Sequence, residues 1–165
     1  MNEVIQLNIT GLGIIMYSDF AVSEIAEGED YFSSCYQLPE QVAKHIHQGT
    51  IVGFCISSPG KYILKFLNGY PSEAELDSSE FKLRLGIEVK DNRVCVRDLY
   101  ALMDWKSNCQ PNQVIQIENG FYHVTLCGNI SASGILGDNQ EINVYLQLID
   151  KMPELKYAGV PIYCE

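Results

Sequence analysis

The chain has 165 residues, of which 47% are apolar and 19% charged, so we expect one folded domain spanning residues 1–165 rather than a disordered chain. The formal net charge is −10, which disfavours direct contact with nucleic-acid phosphates and favours a basic protein partner. The sequence has no run of about 18 apolar residues and no basic residue before its first apolar stretch, so we expect no membrane span, no export signal and a cytoplasmic location.

Charge is unevenly distributed along the chain. The first 43 residues contain seven acidic side chains and no lysine or arginine, whereas five of the 11 basic residues lie between positions 82 and 97. A further acidic stretch between Lys65 and Lys82 also has no basic residue. We therefore expect two acidic surface segments, the first at residues 24–30 and the second at residues 73–77.

Alternation of apolar and polar residues with a period of two predicts most of the first half of the chain to be extended. The predicted extended segments are residues 5–10, 13–22, 50–57 and 61–67. The glycines at 11 and 13 favour a turn or bulge between the first two. One helix is predicted over residues 38–48, because Pro39 suits a first helical turn and Gly49 can end the helix.

The second half of the chain has the clearest alternation, over residues 81–90. It meets an apolar run at 93–97 through Asp91-Asn92, whose residue types tolerate positive φ, so residues 81–97 are predicted to form a β-hairpin. A second hairpin is predicted at Asn119-Gly120. The other predicted elements are strands at 114–117, 122–127 and 142–148 and a short helical turn at 99–105.

These elements together predict the fold class. About eight short strands, one or two short helices and turn signals between the strands are typical of a β-sandwich. Parallel strands need long crossover connections, usually helices, which the sequence does not offer. We therefore predict a mostly β, single-domain antiparallel β-sandwich.

The sequence contains no recognisable catalytic or cofactor-binding motif, so no catalytic, cofactor or metal residue is assigned and no cofactor is expected. Six widely spaced cysteines without a Cys-x-x-Cys pair predict free thiols. His45 and His47 point to different sides of the predicted helix and cannot chelate one metal. One alternative is a small enzyme with a dispersed active site, in which His123 meets a thiol or a carboxylate across strands.

The two acidic segments are the candidate partner-binding surface. Aromatic side chains bordered by charges are typical of specific protein interfaces, and an aromatic residue lies next to each segment. The second alternative is a scaffold domain that binds Ca²⁺ through the glutamate-rich first segment, which does not fit an EF-hand loop. Oligomeric state is left open. The candidate residues are Glu24, Glu27, Glu29, Asp30, Tyr31, Tyr70, Glu73, Glu75 and Asp77.

The order of features resembles the competence-type nuclease inhibitors and the bacterial toxin-immunity proteins that share their architecture. The similar stretches are Ile14 to Val22, Gly53 to Phe66, Leu85 to Val96 and Ile115 to Thr125. This resemblance covers most of residues 13–150 as a pattern of elements. It implies a β-sandwich and a non-catalytic inhibitor or immunity-like protein that neutralises a nuclease or another toxin by binding it. The helix at 38–48 and the tail at 153–165 have no counterpart in that pattern.

Overall fold

The computed structural model describes residues 1–164. Within them, nine strands build two sheets: β1 (Asn2–Ile9), β2 (Gly13–Tyr17), β3 (Val52–Cys55), β4 (Gly60–Asn68), β5 (Phe81–Val89), β6 (Arg93–Asp98), β7 (Val114–Gln116), β8 (Gly120–Gly128) and β9 (Gln140–Ile149). The five-stranded sheet has the order β1-β4-β9-β8-β5, and the four-stranded sheet has the order β3-β2-β6-β7. The predicted mostly β architecture of two sheets is confirmed.

Helices in the described part of the chain are short and lie outside the sheets. They are α1 (Tyr31–Cys35), α2 (Pro39–Gln48), α3 (Glu73–Ser78) and 3₁₀ helices at Asp19–Val22, Leu99–Leu102 and Pro111–Gln113. The described residues thus contain more helices than the one or two that the sequence predicts. Helix α2 begins at Pro39 and is capped at its C-terminal end by Gly49 (φ 68°), as its sequence predicts. The segment predicted as extended to residue 22 turns into a 3₁₀ helix after Tyr17.

The core lies between the sheets and consists of the inward-facing half of each alternating strand. Phe66 of β4, Val124 of β8 and Val144 of β9 are fully buried in the five-stranded sheet, and Met16 and Val96 lie in the facing sheet. Because successive side chains of a strand point to opposite faces, the residues between these project outward. This alternation decides which side chains can form a surface site.

The predicted hairpin at 81–97 is wrong, because its two strands belong to different sheets. Strand β5 pairs with β8, whereas β6 pairs with β2 and β7. The Asp91 carboxylate accepts hydrogen bonds from the Phe20 amide at 2.7 Å and from the Ser18 hydroxyl at 3.3 Å. Those contacts hold the turn against the start of the 3₁₀ helix, so the chain crosses from one sheet to the other.

The predicted hairpin at Asn119-Gly120 is wrong for the same reason. Strand β7 belongs to the four-stranded sheet and β8 to the five-stranded sheet. The two crossing turns are bonded to each other: the Asn92 amide donates to the Asn119 side chain at 2.8 Å, and the Ile117 amide donates to the Asn92 carbonyl at 3.1 Å. Both turns therefore contain residue types that favour turns, but each connects one sheet to the other instead of joining two paired strands.

The prediction that every strand pair is antiparallel is wrong for one pair. Strands β4 and β9 are parallel over Tyr62–Asn68. The connection between them contains α3 and four strands, β5 to β8. A crossover helix is unnecessary here because the remaining strands of the sandwich supply the long connection that parallel pairing requires.

Outward-facing side chains of the four-stranded sheet are covered by other parts of the chain. Strand β2 is buried on both faces. On its outer face the Tyr17 ring packs against the Trp105 ring at 5.5 Å between centroids, and the Arg97 guanidinium lies 5.0 Å from the Trp105 ring. The covering segments, residues 19–36 and 99–113, include the first acidic segment.

Candidate protein-binding site

The first acidic segment is fixed to the covered outer face of the four-stranded sheet through Trp105. The Gly28 amide donates to the Trp105 carbonyl at 2.8 Å, and the Trp105 amide donates to the Glu29 carbonyl at 3.0 Å. The Trp105 side chain is fully buried. Residues 24–30 therefore present their carboxylates from a backbone that is anchored in the core.

Two of these carboxylates are stabilised in their charged form. The Ser107 amide donates to Glu27 at 2.6 Å, and hydrogen bonds from Ser107 lower the pKa of Glu27. The Ser33 amide donates to Asp30 at 3.0 Å, which caps α1 and lowers the pKa of Asp30. Glu24 is exposed, and Glu29 is half-buried. The segment thus presents fixed negative charge at neutral pH.

Tyr31 is half-buried and connects α1 to α2. Its hydroxyl lies 2.9 Å from Nε2 of His45, whose Nδ1 lies 2.6 Å from the Thr50 hydroxyl. Burial, with a smaller effect from Lys44, lowers the pKa of His45 to about 4, so the ring is neutral at pH 7. His47 is exposed, as its position on the helix predicts. Part of the Tyr31 side chain is therefore engaged in contacts within the protein.

The second acidic segment, α3, lies on the outer face of the five-stranded sheet. The Glu75 carboxylate accepts hydrogen bonds from the Tyr145 hydroxyl at 2.5 Å and the Asn143 amide at 2.6 Å. Burial opposes ionisation of Glu75, but these hydrogen bonds lower its pKa. Glu75, one of the predicted partner-binding residues, thus docks α3 on the sheet, whereas Glu73 and Asp77 are exposed.

His123 and Tyr70 lie on the same outer face. The Tyr70 hydroxyl is 3.2 Å from Nδ1 of His123, and Tyr70 is 52% exposed. His123 therefore meets a phenol rather than the thiol or carboxylate on which the enzyme alternative depends. Cys127 projects to this face too, but burial and the nearby Glu75 raise the pKa of its thiol to about 11, and a protonated thiol is a poor nucleophile.

The two acidic segments consequently lie on opposite faces of the sandwich. The first is attached to side chains on the outer face of the four-stranded sheet, and the second to side chains on the outer face of the five-stranded sheet. The predicted partner-binding residues therefore form two separate surfaces. A partner with one contact face can cover one of them.

An apolar groove that the sequence did not reveal lies next to the first acidic segment. It has a volume of about 280 Å³ and runs along the edge strand β3. Phe32 of α1 lines one side, and Val160 and Ile162 of the tail line another. No sequence pattern predicts this groove, because its walls come from five stretches of chain that are distant in sequence.

Two features that other functions would require are absent from the described residues. Across residues 1–164 there is no group of three or more His, Cys, Asp or Glu side chains placed to hold a metal ion. None of the helices in that range is long and apolar enough to cross a membrane. All six cysteines are free, and Cys95, Cys109 and Cys127 are buried.

Comparison with known proteins shows the fold of this chain. No model of a known protein family matches the chain, and no curated protein sequence matches it. Among solved structures, ComJ from Bacillus subtilis, an inhibitor of the DNA-degrading activity of NucA, is similar with a TM-score of 0.53 and 10% sequence identity, over 90% of this chain and 99% of ComJ. The protein of crocagin biosynthetic gene J is similar with a TM-score of 0.52 and 12% identity, over 88% of this chain and 97% of that one. The resemblance to the competence-type inhibitors is thus confirmed at the level of the fold.

Proposed function

We propose that this protein is a non-catalytic inhibitor or immunity-like protein that binds a basic protein, a nuclease or another toxin, and blocks it. The observation that carries the proposal is the fold shared with a nuclease inhibitor over nearly the whole of both chains. The anchored acidic segment supplies the chemistry that such a role requires.

Electrostatic complementarity explains how inhibition would work. A nuclease binds a polyanion, so its substrate cleft must be basic. The first acidic segment presents ionised carboxylates on a backbone held by Trp105, and the whole chain carries a net charge of −10. Such a surface attracts a basic cleft over a distance of about one Debye length and then covers it, which excludes the substrate.

Of the two acidic surfaces, the proposal assigns the contact to residues 24–30. Glu75 of the second segment has its carboxylate occupied by Tyr145 and Asn143, which removes one of that segment's three charges from partner contact. The first segment also adjoins the apolar groove. The second segment therefore serves as a matched comparison on the opposite face.

The direct test is capture of nuclease activity. The purified protein, immobilised at low salt, is exposed to a lysate of its source organism, and DNA-degrading activity is measured before and after. We expect the lysate to lose this activity, moderate salt to release a basic nuclease, and added soluble protein to inhibit the released enzyme at a 1:1 ratio. A released basic protein whose toxicity on expression is relieved by this chain would support the toxin form of the proposal. Unchanged activity, together with no such toxin, would refute it.

Charge variants test the assigned surface. Replacing Glu24, Glu27 and Asp30 with their amides removes three charges but keeps a cap at Asp30, because Asn is also a good N-cap residue. We expect kon for the captured partner to fall about tenfold at low salt and to converge with the wild-type value at high salt. The control, with amides at Glu73, Asp77 and Glu80 on the opposite face, removes the same charge. Equal losses in both variants would show that net charge, and not this surface, controls association.

A further inference from the structure

Exposed apolar side chains line the groove beside the first acidic segment. Ten large apolar side chains of the described residues are exposed, and three of them line this groove, namely Leu12, Val160 and Ile162. Single exposed apolar residues need no explanation, but a contiguous group bordered by charge marks an interaction site.

The groove is a built feature with rigid walls. The tail is held to the edge of β3, where the Cys55 amide donates to the Pro161 carbonyl at 2.8 Å and the Tyr163 amide donates to the Cys55 carbonyl at 2.9 Å. The opposite wall includes Tyr36, whose buried hydroxyl donates to the Ile51 carbonyl at 2.9 Å. Hydrogen-bonded walls keep the apolar floor open to solvent instead of letting it collapse.

Helix α2 and the C-terminal tail meet at this groove. Val42 of α2 and the tail residues Val160 and Ile162 all line it.

Two acidic residues flank the groove. No lysine or arginine lines it. Asp30 caps the helix that provides Phe32, and Asp98, which accepts from the Thr10 and Gly11 amides, lies at the turn next to Leu12. An occupant that combines an apolar side chain with neighbouring positive charge would complement both the floor and the rim.

We propose that this groove binds an apolar side chain such as leucine, flanked by lysine or arginine, that projects from the protein partner. The inference rests on the proposed function, since it identifies the anchor of that complex. The groove volume of about 280 Å³ leaves ample room for such a side chain. A second copy of this chain is disfavoured as the occupant, because its groove would bring the same acidic rim into contact with an identical one.

The probes are two capped pentapeptides of equal charge, Lys-Lys-Leu-Lys-Lys and Lys-Lys-Ser-Lys-Lys, titrated into the isotopically labelled full chain and followed by NMR. We expect the leucine peptide to shift the amide signals of groove residues such as Gly53, Cys55 and Leu99. The serine peptide is expected to shift only signals near residues 24–30. The Val160→Asn substitution should weaken binding of the leucine peptide about fivefold, because it replaces an apolar part of the groove wall with a polar amide.

The control is Val4→Asn, which changes the same residue type at a similar exposure, 53% against 48%, on β1 of the other sheet. Leu12→Asn serves as the second groove variant if Val160→Asn alters the spectrum of the free protein. Equal affinity for the two peptides, or no binding of either, would overturn the groove assignment. Neither result would affect the nuclease-capture test, so the two proposals fail separately. Groove signals that shift with protein concentration alone would identify a second copy as the occupant and would also overturn the assignment.

Discussion

Acidification should destabilise this protein through His45, which links α2 to the helix next to the first acidic segment. The Thr50 hydroxyl lies 2.6 Å from Nδ1 of His45 and 3.4 Å from the backbone carbonyl oxygen of His45, which is in the last turn of α2. If Thr50 donates to that carbonyl, Nδ1 carries the proton and Nε2 accepts from the Tyr31 hydroxyl. Protonating Nε2 would remove this acceptor.

The sign follows from the pKa of the ring, which is about 4 in the folded protein and about 6.5 in the unfolded chain. Between these values the unfolded state binds more protons, so the free energy of unfolding decreases as the pH falls. At about 1.4 kcal/mol per pKa unit, the interval from pH 6.5 to pH 5 corresponds to about 2 kcal/mol. Because the ring is only partly buried, we expect about half of this, about 1 kcal/mol.

The assay is urea unfolding of the wild type and of His45→Gln at pH 7 and at pH 5. The variant will be less stable at both pH values, so the quantity of interest is the change between them. We expect the wild type to lose about 1 kcal/mol more than the variant. His123 also has a pKa lowered by burial, but its contribution is common to both proteins and cancels. Equal losses in the two proteins would refute this account of His45.

Three further predictions concern stability. Trp105→Ala should lower the free energy of unfolding by about 3–5 kcal/mol and speed hydrogen exchange at Gly28, since it empties a fully buried site beneath the acidic segment. Glu75→Ala should cost about 1 kcal/mol by urea unfolding and leave association with the captured partner unchanged, because that carboxylate contacts its own sheet; slower association would contradict this role. Gly60→Ala should lower the free energy of unfolding, measured by thermal unfolding, by about 2 kcal/mol, since φ is 151° and the added methyl meets the Gly137 backbone. Gly134→Ala should lower it by less, because Gly134 also has a positive φ but no atom lies where the methyl would be.

The sequence was informative wherever the structure depends on neighbouring residues. Strand β1 follows its alternation, with Ile5, Leu7 and Ile9 buried. The bounds of α2 follow from the fixed φ of Pro39 and the positive φ that Gly49 adopts without strain. Local chemistry of this kind determines where an element starts, where it stops and which face is apolar.

Pairing between distant residues was not predictable in the same way. Asn92 has the positive φ that its residue type suggested (56°), yet the turn joins two sheets and not two adjacent strands. A turn preference is local, whereas the choice between a hairpin and a crossing depends on what each strand packs against. Strand β5 is buried along its inner face and pairs with β8, a partner about 40 residues away. The apolar groove was missed for the same reason.

In the proposed complex, two kinds of contact would affect binding at different stages. Rim charges such as Glu27 and Asp30 act while the partner approaches, so they control the association rate and its salt dependence. The groove acts after contact, when desolvation of an apolar side chain slows dissociation. Amide variants of the acidic segment should therefore lower kon, whereas Val160→Asn should raise koff at unchanged kon. A groove variant that altered kon alone would mean that the apolar surface takes part only in the encounter, and that the anchor lies elsewhere on the protein.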